Sequence, residues 1–138
     1  MKSKLLFLII VISFISTFGS LYFSEVLKFP PCNLCWYQRI FAYPIFIISV
    51  IALVKKEYSI FKYTFVLSII GGIIAFYHIL YENNLVGHYG VCGVGVDCAT
   101  KYVEYFGFVT LPVLSFCSFG LIAIFSLLPK FIYRFTAK

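Results

Sequence analysis

The stretch LLFLIIVISFISTFGSLYFS, residues 5–24, carries no charged side chain over 20 residues. That is about the length a helix needs to cross the hydrocarbon core of a bilayer. Working outward from it, three more such runs follow. Phe29 to Val54 holds one charge, Arg39, near its start, while Tyr63 to Tyr81 and Tyr105 to Pro129 hold none. Backbone in lipid must satisfy its own hydrogen bonds, so these runs predict helices. A membrane barrel would need shorter strands of alternating polarity, which are not present. The expected fold is all-α, an integral membrane four-helix bundle. It forms a single domain, 1–138, with helices near 5–27, 32–54, 61–82 and 109–129 and outer loops at 28–31 and 83–108.

Composition points the same way. The chain is 62% hydrophobic and 12% charged, against roughly 45–50% and about 25% in soluble domains. A soluble fold of this size exposes too much of its surface to hide that much apolar area. The net charge of +6 does not suggest nucleic acid, because Lys and Arg sit singly or in pairs between apolar runs. No basic stripe interleaves with stacking aromatics. The 21% aromatic content suits membrane interfaces and lipid-facing surface.

Prolines punctuate the runs. Pro30–Pro31 can start a helix but not continue one, so they separate the first from the second. Thr110 and Pro112 resemble an N-cap with proline in the first turn of the fourth. Pro129 stands where that helix is expected to stop, Pro44 predicts a kink in the second, and Gly71–Gly72 a close helix approach in the third. Basic residues set the orientation. With both termini cytoplasmic, the inner side holds eight: Lys2, Lys4, Lys55, Lys56, Lys62, Lys130, Arg134 and Lys138. The outer side holds three: Lys28, Arg39 and Lys101. Both outer segments then face the extracytoplasmic side. Lys2 and Lys4 before an apolar run also resemble a signal peptide, but the run is long and Thr17-Phe18-Gly19 is a poor cleavage site, so the first helix is expected to stay.

The cysteines carry the chemistry. Cys32 and Cys35 form a C-x2-C pair and Cys92 and Cys98 a C-x5-C pair, both in the outer segments, where disulfides persist. A ring as short as C-x-x-C removes little unfolded-state entropy, so it reads as a redox device rather than a staple. Cys32 and Cys35 fall at the start of a helix, where free N–H groups and the helix dipole favour a thiolate. Arg39, one turn beyond Cys35, is expected to aim at that sulfur, making Cys35 the favoured thiolate; otherwise it is a snorkelling interfacial cation. The glycines around Cys92–Cys98 (Gly87, Gly90, Gly93 and Gly95) suit a mobile hairpin that presents its disulfide to an incoming thiol; the alternatives are a static staple or a four-cysteine zinc site. No metal is expected. Cys117, among Phe116, Phe119 and Leu121, reads as a packing residue. His78 and Glu82, at i and i+4, either relay a proton or simply hydrogen-bond within the bundle. His88 reads as an ordinary loop histidine.

Pro31-Cys32-Asn33-Leu34-Cys35-Trp36-Tyr37-Gln38-Arg39 resembles the signature of the bacterial DsbB family, closest to its short Gram-positive-type members called BdbC. The resemblance spans essentially the whole chain, with one cysteine pair opening helix 2 and the other between helices 3 and 4. It implies a protein-disulfide oxidoreductase that reoxidises an extracytoplasmic thioredoxin-like thiol oxidase. Electrons would pass to a membrane quinone, ubiquinone or menaquinone, in support of disulfide formation in exported proteins. By position, Cys92 would be attacked by the partner, Cys98 would exchange with Cys32, and Cys35 would meet the quinone beside Arg39. This sequence departs from some relatives: its second pair is closer together, Gln38 stands where an acid can precede Arg39, and Asn83 where a histidine can follow Tyr-Glu. Two other readings compete. A vitamin K epoxide reductase-like enzyme would place its C-x-x-C after the loop pair, the reverse of the order here. A structural membrane subunit with stapled loops leaves Arg39 beside Cys35 as coincidence.

Overall fold

The computed structural model of the chain describes residues 1–87, 92, 97–99, 107 and 109–136. Four helices account for most of them: α1 (Lys2–Glu25), α2 (Asn33–Lys55), α3 (Phe61–Glu82) and α4 (Leu111–Thr136). Each is long and apolar enough to cross a membrane. The expectations for His88, Gly90, Gly93, Gly95 and Lys101 lie outside the described residues.

The helices close into a ring. Each packs on its neighbours in sequence, and α4 returns against α1. The outward faces carry large apolar side chains such as Phe7, Ile15, Ile47, Ile73 and Phe131. In water such a surface would be an association liability, and lipid is its natural cover. The interior is built partly from small and polar residues, as membrane bundles are. Ser13, Ser49, Thr64, Ser68 and Ala75 are fully or almost fully buried. Thr64 Oγ1 and Ser126 Oγ meet at 3.0 Å and tie α3 to α4. Gly71 makes the expected close approach: a Cβ there would stand 2.5 Å from the Phe119 ring. Gly72 does not, since its Cβ would meet Phe119 at an ordinary 3.7 Å.

Helix ends follow local chemistry. Lys28, Lys56 and Asn84, just past α1, α2 and α3, all adopt left-handed φ near 55°. Such a residue lets the chain turn back and return N–H groups to the last carbonyls. Glu57 N–H reaches Ala52 O at 3.0 Å, and Leu85 N–H reaches Leu80 O at 2.9 Å. Thr110 immediately precedes α4, its carbonyl accepting from Leu114 N–H at 3.1 Å, with Pro112 in the first turn. Pro44 lies within α2.

Pro129 does not end α4, which continues to Thr136. A proline ring removes one donor and crowds one carbonyl, and here the chain beyond it still has reason to stay helical. Phe131 and Phe135 pair one turn apart with tilted rings, 5.0 Å between centroids, and Arg134 sits in the last turn, where a cation suits the dipole. Cys117, expected to pack inside, is exposed on α4.

Candidate active site

Pro30 and Pro31 keep the approach to α2 extended, and Cys32 (φ −74°, ψ 168°) takes the N-cap position. From there its sulfur accepts the orphan N–H of Cys35 at 3.4 Å, as a capping side chain does. The Cys35 Sγ lies 3.0 Å from the Cys32 Sγ, close enough for its thiol to donate. That hydrogen bond is the largest influence on the Cys32 thiol, and it outweighs burial. With the His78 ring adding to the pull, it brings Cys32 down to about 4, a thiolate at neutral pH.

The direction of that shift favours a thiolate on Cys32, and Arg39, expected to aim at Cys35, is hydrogen-bonded to α1. Its Nε donates to Ser20 Oγ at 2.8 Å and its Nη2 to the Ser20 carbonyl at 2.9 Å. The guanidinium also sits over the Trp36 ring, 5.6 Å from its centroid. It is buried and held to α1.

The second pair is docked on the first. Cys92 and Cys98 form a disulfide, with Cα atoms 5.8 Å apart. Both are buried in one cluster with Cys32, Leu34 and Tyr81, against which Cys35, Tyr77 and Ala99 pack. The four cysteines, far apart in sequence, thus share one small apolar core. The disulfide is held against the inner pair, with Cys92 and Cys98 both buried. The apolar character of the two sulfurs and their neighbours explains the docking.

His78 joins the pairs. Its Nε2 is 3.7 Å from Cys32 Sγ and 3.2 Å from the Cys98 carbonyl, and its Nδ1 is 3.1 Å from Gln38 Nε2. Glu82 is engaged elsewhere, accepting from Thr110 Oγ1 at 2.8 Å where α3 meets α4. The i, i+4 pair thus splits into a histidine at the cysteines and a carboxylate at the helix junction. Sequence reasoning named Gln38 only as a departure from some relatives, and did not single out Ser20. One available signal was Gln38, a polar side chain three residues after Cys35 inside an apolar run. Ser20 gave none, since α1 is rich in serine.

On the other side of the pair is a cavity of about 290 Å³ between α1, α2 and α4, lined by Cys35, Arg39, Ser20, Phe23, Phe29 and Phe119 among others. Cys32 does not line it. The lining is mostly apolar, with one thiol and one guanidinium, so it fits a flat, ring-sized apolar molecule carrying hydrogen-bond acceptors. As for metals, Cys32, Cys35 and His78 bring their donor atoms within 4.8 Å of one another. This soft trio exists only when both thiols are free, and it is not the four-cysteine arrangement that spacing alone brings to mind.

Comparison with known proteins decides the family. The family model described as "Disulfide bond formation protein DsbB" matches residues 2–129. The chain belongs to the DsbB family. It is 43% identical over 134 residues to the "Disulfide bond formation protein C" of Bacillus subtilis, covering 94% of this chain and 96% of that one. A "Probable disulfide formation protein C 1" of Bacillus anthracis is 46% identical over 117 residues, 83% of each chain. A "Probable disulfide formation protein" of Oceanobacillus iheyensis is 40% identical over 129 residues, 91% of this chain and 88% of that one. No solved structure matches the chain. Membership in the DsbB family makes it a membrane thiol–disulfide oxidoreductase, and its two cysteine pairs support a redox-active centre.

Proposed function

We propose that the protein takes electrons from an extracytoplasmic thioredoxin-like dithiol protein and passes them to a membrane quinone, with both termini cytoplasmic and both cysteine pairs on the outer side. One observation carries this reading: the Cys32–Cys35 pair stands between the docked Cys92–Cys98 disulfide and a cavity open to Cys35. Electrons entering at one pair therefore have a path of adjacent sulfurs to the cavity.

The balance is simple. The partner's dithiol becomes a disulfide, losing two electrons and two protons, and a quinone supplies the chemistry that accepts both. Partner thiolate attacks Cys92 and releases Cys98. Cys98 attacks Cys32 in the Cys32–Cys35 disulfide, releasing Cys35 beside the cavity. The partner's second thiolate resolves its bond to Cys92, and Cys92 then attacks Cys98, restoring the outer disulfide and leaving the inner pair as thiols. Arg39, held by Ser20, presents a fixed positive charge to the cavity and a planar fork suited to carbonyl oxygens. The apolar lining keeps water from the sulfur.

The test uses purified full-length protein, reduced thioredoxin-like protein and a water-soluble quinone. Wild type should reduce the quinone with one disulfide formed per quinone consumed. Cys35→Ser should abolish it. Full activity of Cys35→Ser would sink the reading, as would failure of the wild type to reduce either ubiquinone or menaquinone analogues.

A further inference from the structure

Among the described residues, His78 is within reach of both cysteine pairs, and the hydrogen bonds around it determine which nitrogen carries the proton. The Cys98 carbonyl, 3.2 Å from Nε2, can only accept. The Gln38 side-chain nitrogen, 3.1 Å from Nδ1, can only donate. Both conditions are met by one neutral tautomer, with the hydrogen on Nε2 and the lone pair on Nδ1. The ring is 3% exposed, so water does not compete for either nitrogen. The same Nε2–H stands 3.7 Å from Cys32 Sγ. A hydrogen bond shared between a carbonyl and a sulfur can move towards whichever gains charge.

We propose that His78 is a catalytic hydrogen-bond donor for exchange between the two cysteine pairs, its Nε2–H stabilising the thiolate that leaves on Cys32, with Gln38 as the positioning residue that fixes the ring's tautomer. The inference rests on the relay set out under Proposed function. In the step concerned, the Cys92 thiolate attacks Cys98 Sγ of a Cys98–Cys32 disulfide. The Cys92–Cys98 bond forms, the Cys98–Cys32 bond breaks, and the electron pair leaves on Cys32 Sγ. One disulfide is made for one broken, so no outside oxidant is needed, and the imidazole proton stays on the ring. The Cys35 N–H and thiol already favour that leaving group from the α2 side, and His78 completes the set from α3.

Gln38 orients the ring. The amide nitrogen faces Nδ1 at 3.1 Å, which turns the Nε2–H towards the sulfur, and the ring donates a hydrogen bond there without surrendering its proton.

The experiment separates exchange from acceptor reduction. Full-length protein with both pairs oxidised and quinone removed is mixed with a reduced thioredoxin-like dithiol protein. Samples are quenched in acid, alkylated, and the state of each pair is read by mass spectrometry. His78→Leu should slow the appearance of the Cys32 thiol by roughly 10- to 100-fold, the range for losing a hydrogen bond to a charged acceptor, while Cys35, released in the preceding exchange, appears at the wild-type rate. His78→Gln should recover most of that rate, because its amide N–H can occupy the place of Nε2–H. Gln38→Leu should give an intermediate loss. The pH midpoint of the Cys32 thiolate absorbance in the reduced protein should rise in His78→Leu and return in His78→Gln. A packing role would slow Leu and Gln variants alike and leave that midpoint unchanged, which would overturn the proposal. Wild-type exchange in His78→Leu would overturn it too. Should the wild type exchange normally yet pass nothing to quinones, the proposed acceptor is wrong and the histidine assignment stands.

Discussion

Gly71→Ala joins packing to function at a single atom. The new Cβ would lie 2.5, 2.6 and 2.9 Å from three carbons of the Phe119 ring, where carbon pairs rest comfortably at about 3.5–4.0 Å. The ring must therefore retreat by roughly 1 Å. Phe119 is 3% exposed, but its ring also borders the cavity beside Cys35 and Arg39, so the retreat has one open direction. Relief by that route limits the destabilisation to the lower half of the overpacking range, about 1–2 kcal/mol. The cavity shrinks in consequence. Unfolding in detergent, followed by circular dichroism, should show that loss, and quinone reduction should show a raised KM for the quinone with a smaller change in kcat. Gly71→Ala combined with Phe119→Leu should recover both, giving an interaction of at least about 1 kcal/mol in a double-mutant cycle. A Gly71→Ala protein as stable as wild type would refute the reasoning. So would a raised KM that Phe119→Leu fails to correct.

Other outcomes follow from individual contacts. Cys32, brought down to about 4, should stay reactive to iodoacetamide well below neutral pH. Because the folded value is depressed, the dithiol form gains stability as pH rises above it and loses that gain as pH falls through it. Cys35→Ala removes the main donor and should move the alkylation midpoint of Cys32 upward. Thr110→Val deletes the hydroxyl that Glu82 accepts in a buried setting, and should destabilise the protein by about 1–3 kcal/mol in thermal unfolding. Lys56→Gly relieves a left-handed non-glycine residue at the end of α2 and should raise stability by about 0.5–1 kcal/mol.

Much of this architecture is legible from hydropathy alone. Four long runs with hardly a charge leave few options once backbone hydrogen bonds must close within each segment, and α3 runs over the residues expected. Pro129 is the instructive exception. A proline reads as a stop because it lacks a donor, yet one lost donor does not outweigh a continuing apolar face. The pairing of cysteines on one side of the bundle is likewise readable from spacing and sidedness. What spacing does not reveal is rotation about a helix axis. His78 is 46 residues from Cys32 and 20 from Cys98, and its place between them depends on how α3 packs against α2 and the loop. The same holds for Arg39, which is near Cys35 in sequence but satisfied by a serine on α1.

Cys32 and Cys35 occupy a single helical turn with different surroundings, one sulfur among protein atoms and the other beside the cavity. That geometry gives the molecule two entrances of opposite solubility. Among the described residues the outer disulfide packs against Cys32, while the apolar cavity reaches Cys35. Small greasy thiols would therefore reach Cys35 without touching the loop, so cell envelopes rich in such compounds could load this enzyme with electrons that no folding protein supplied.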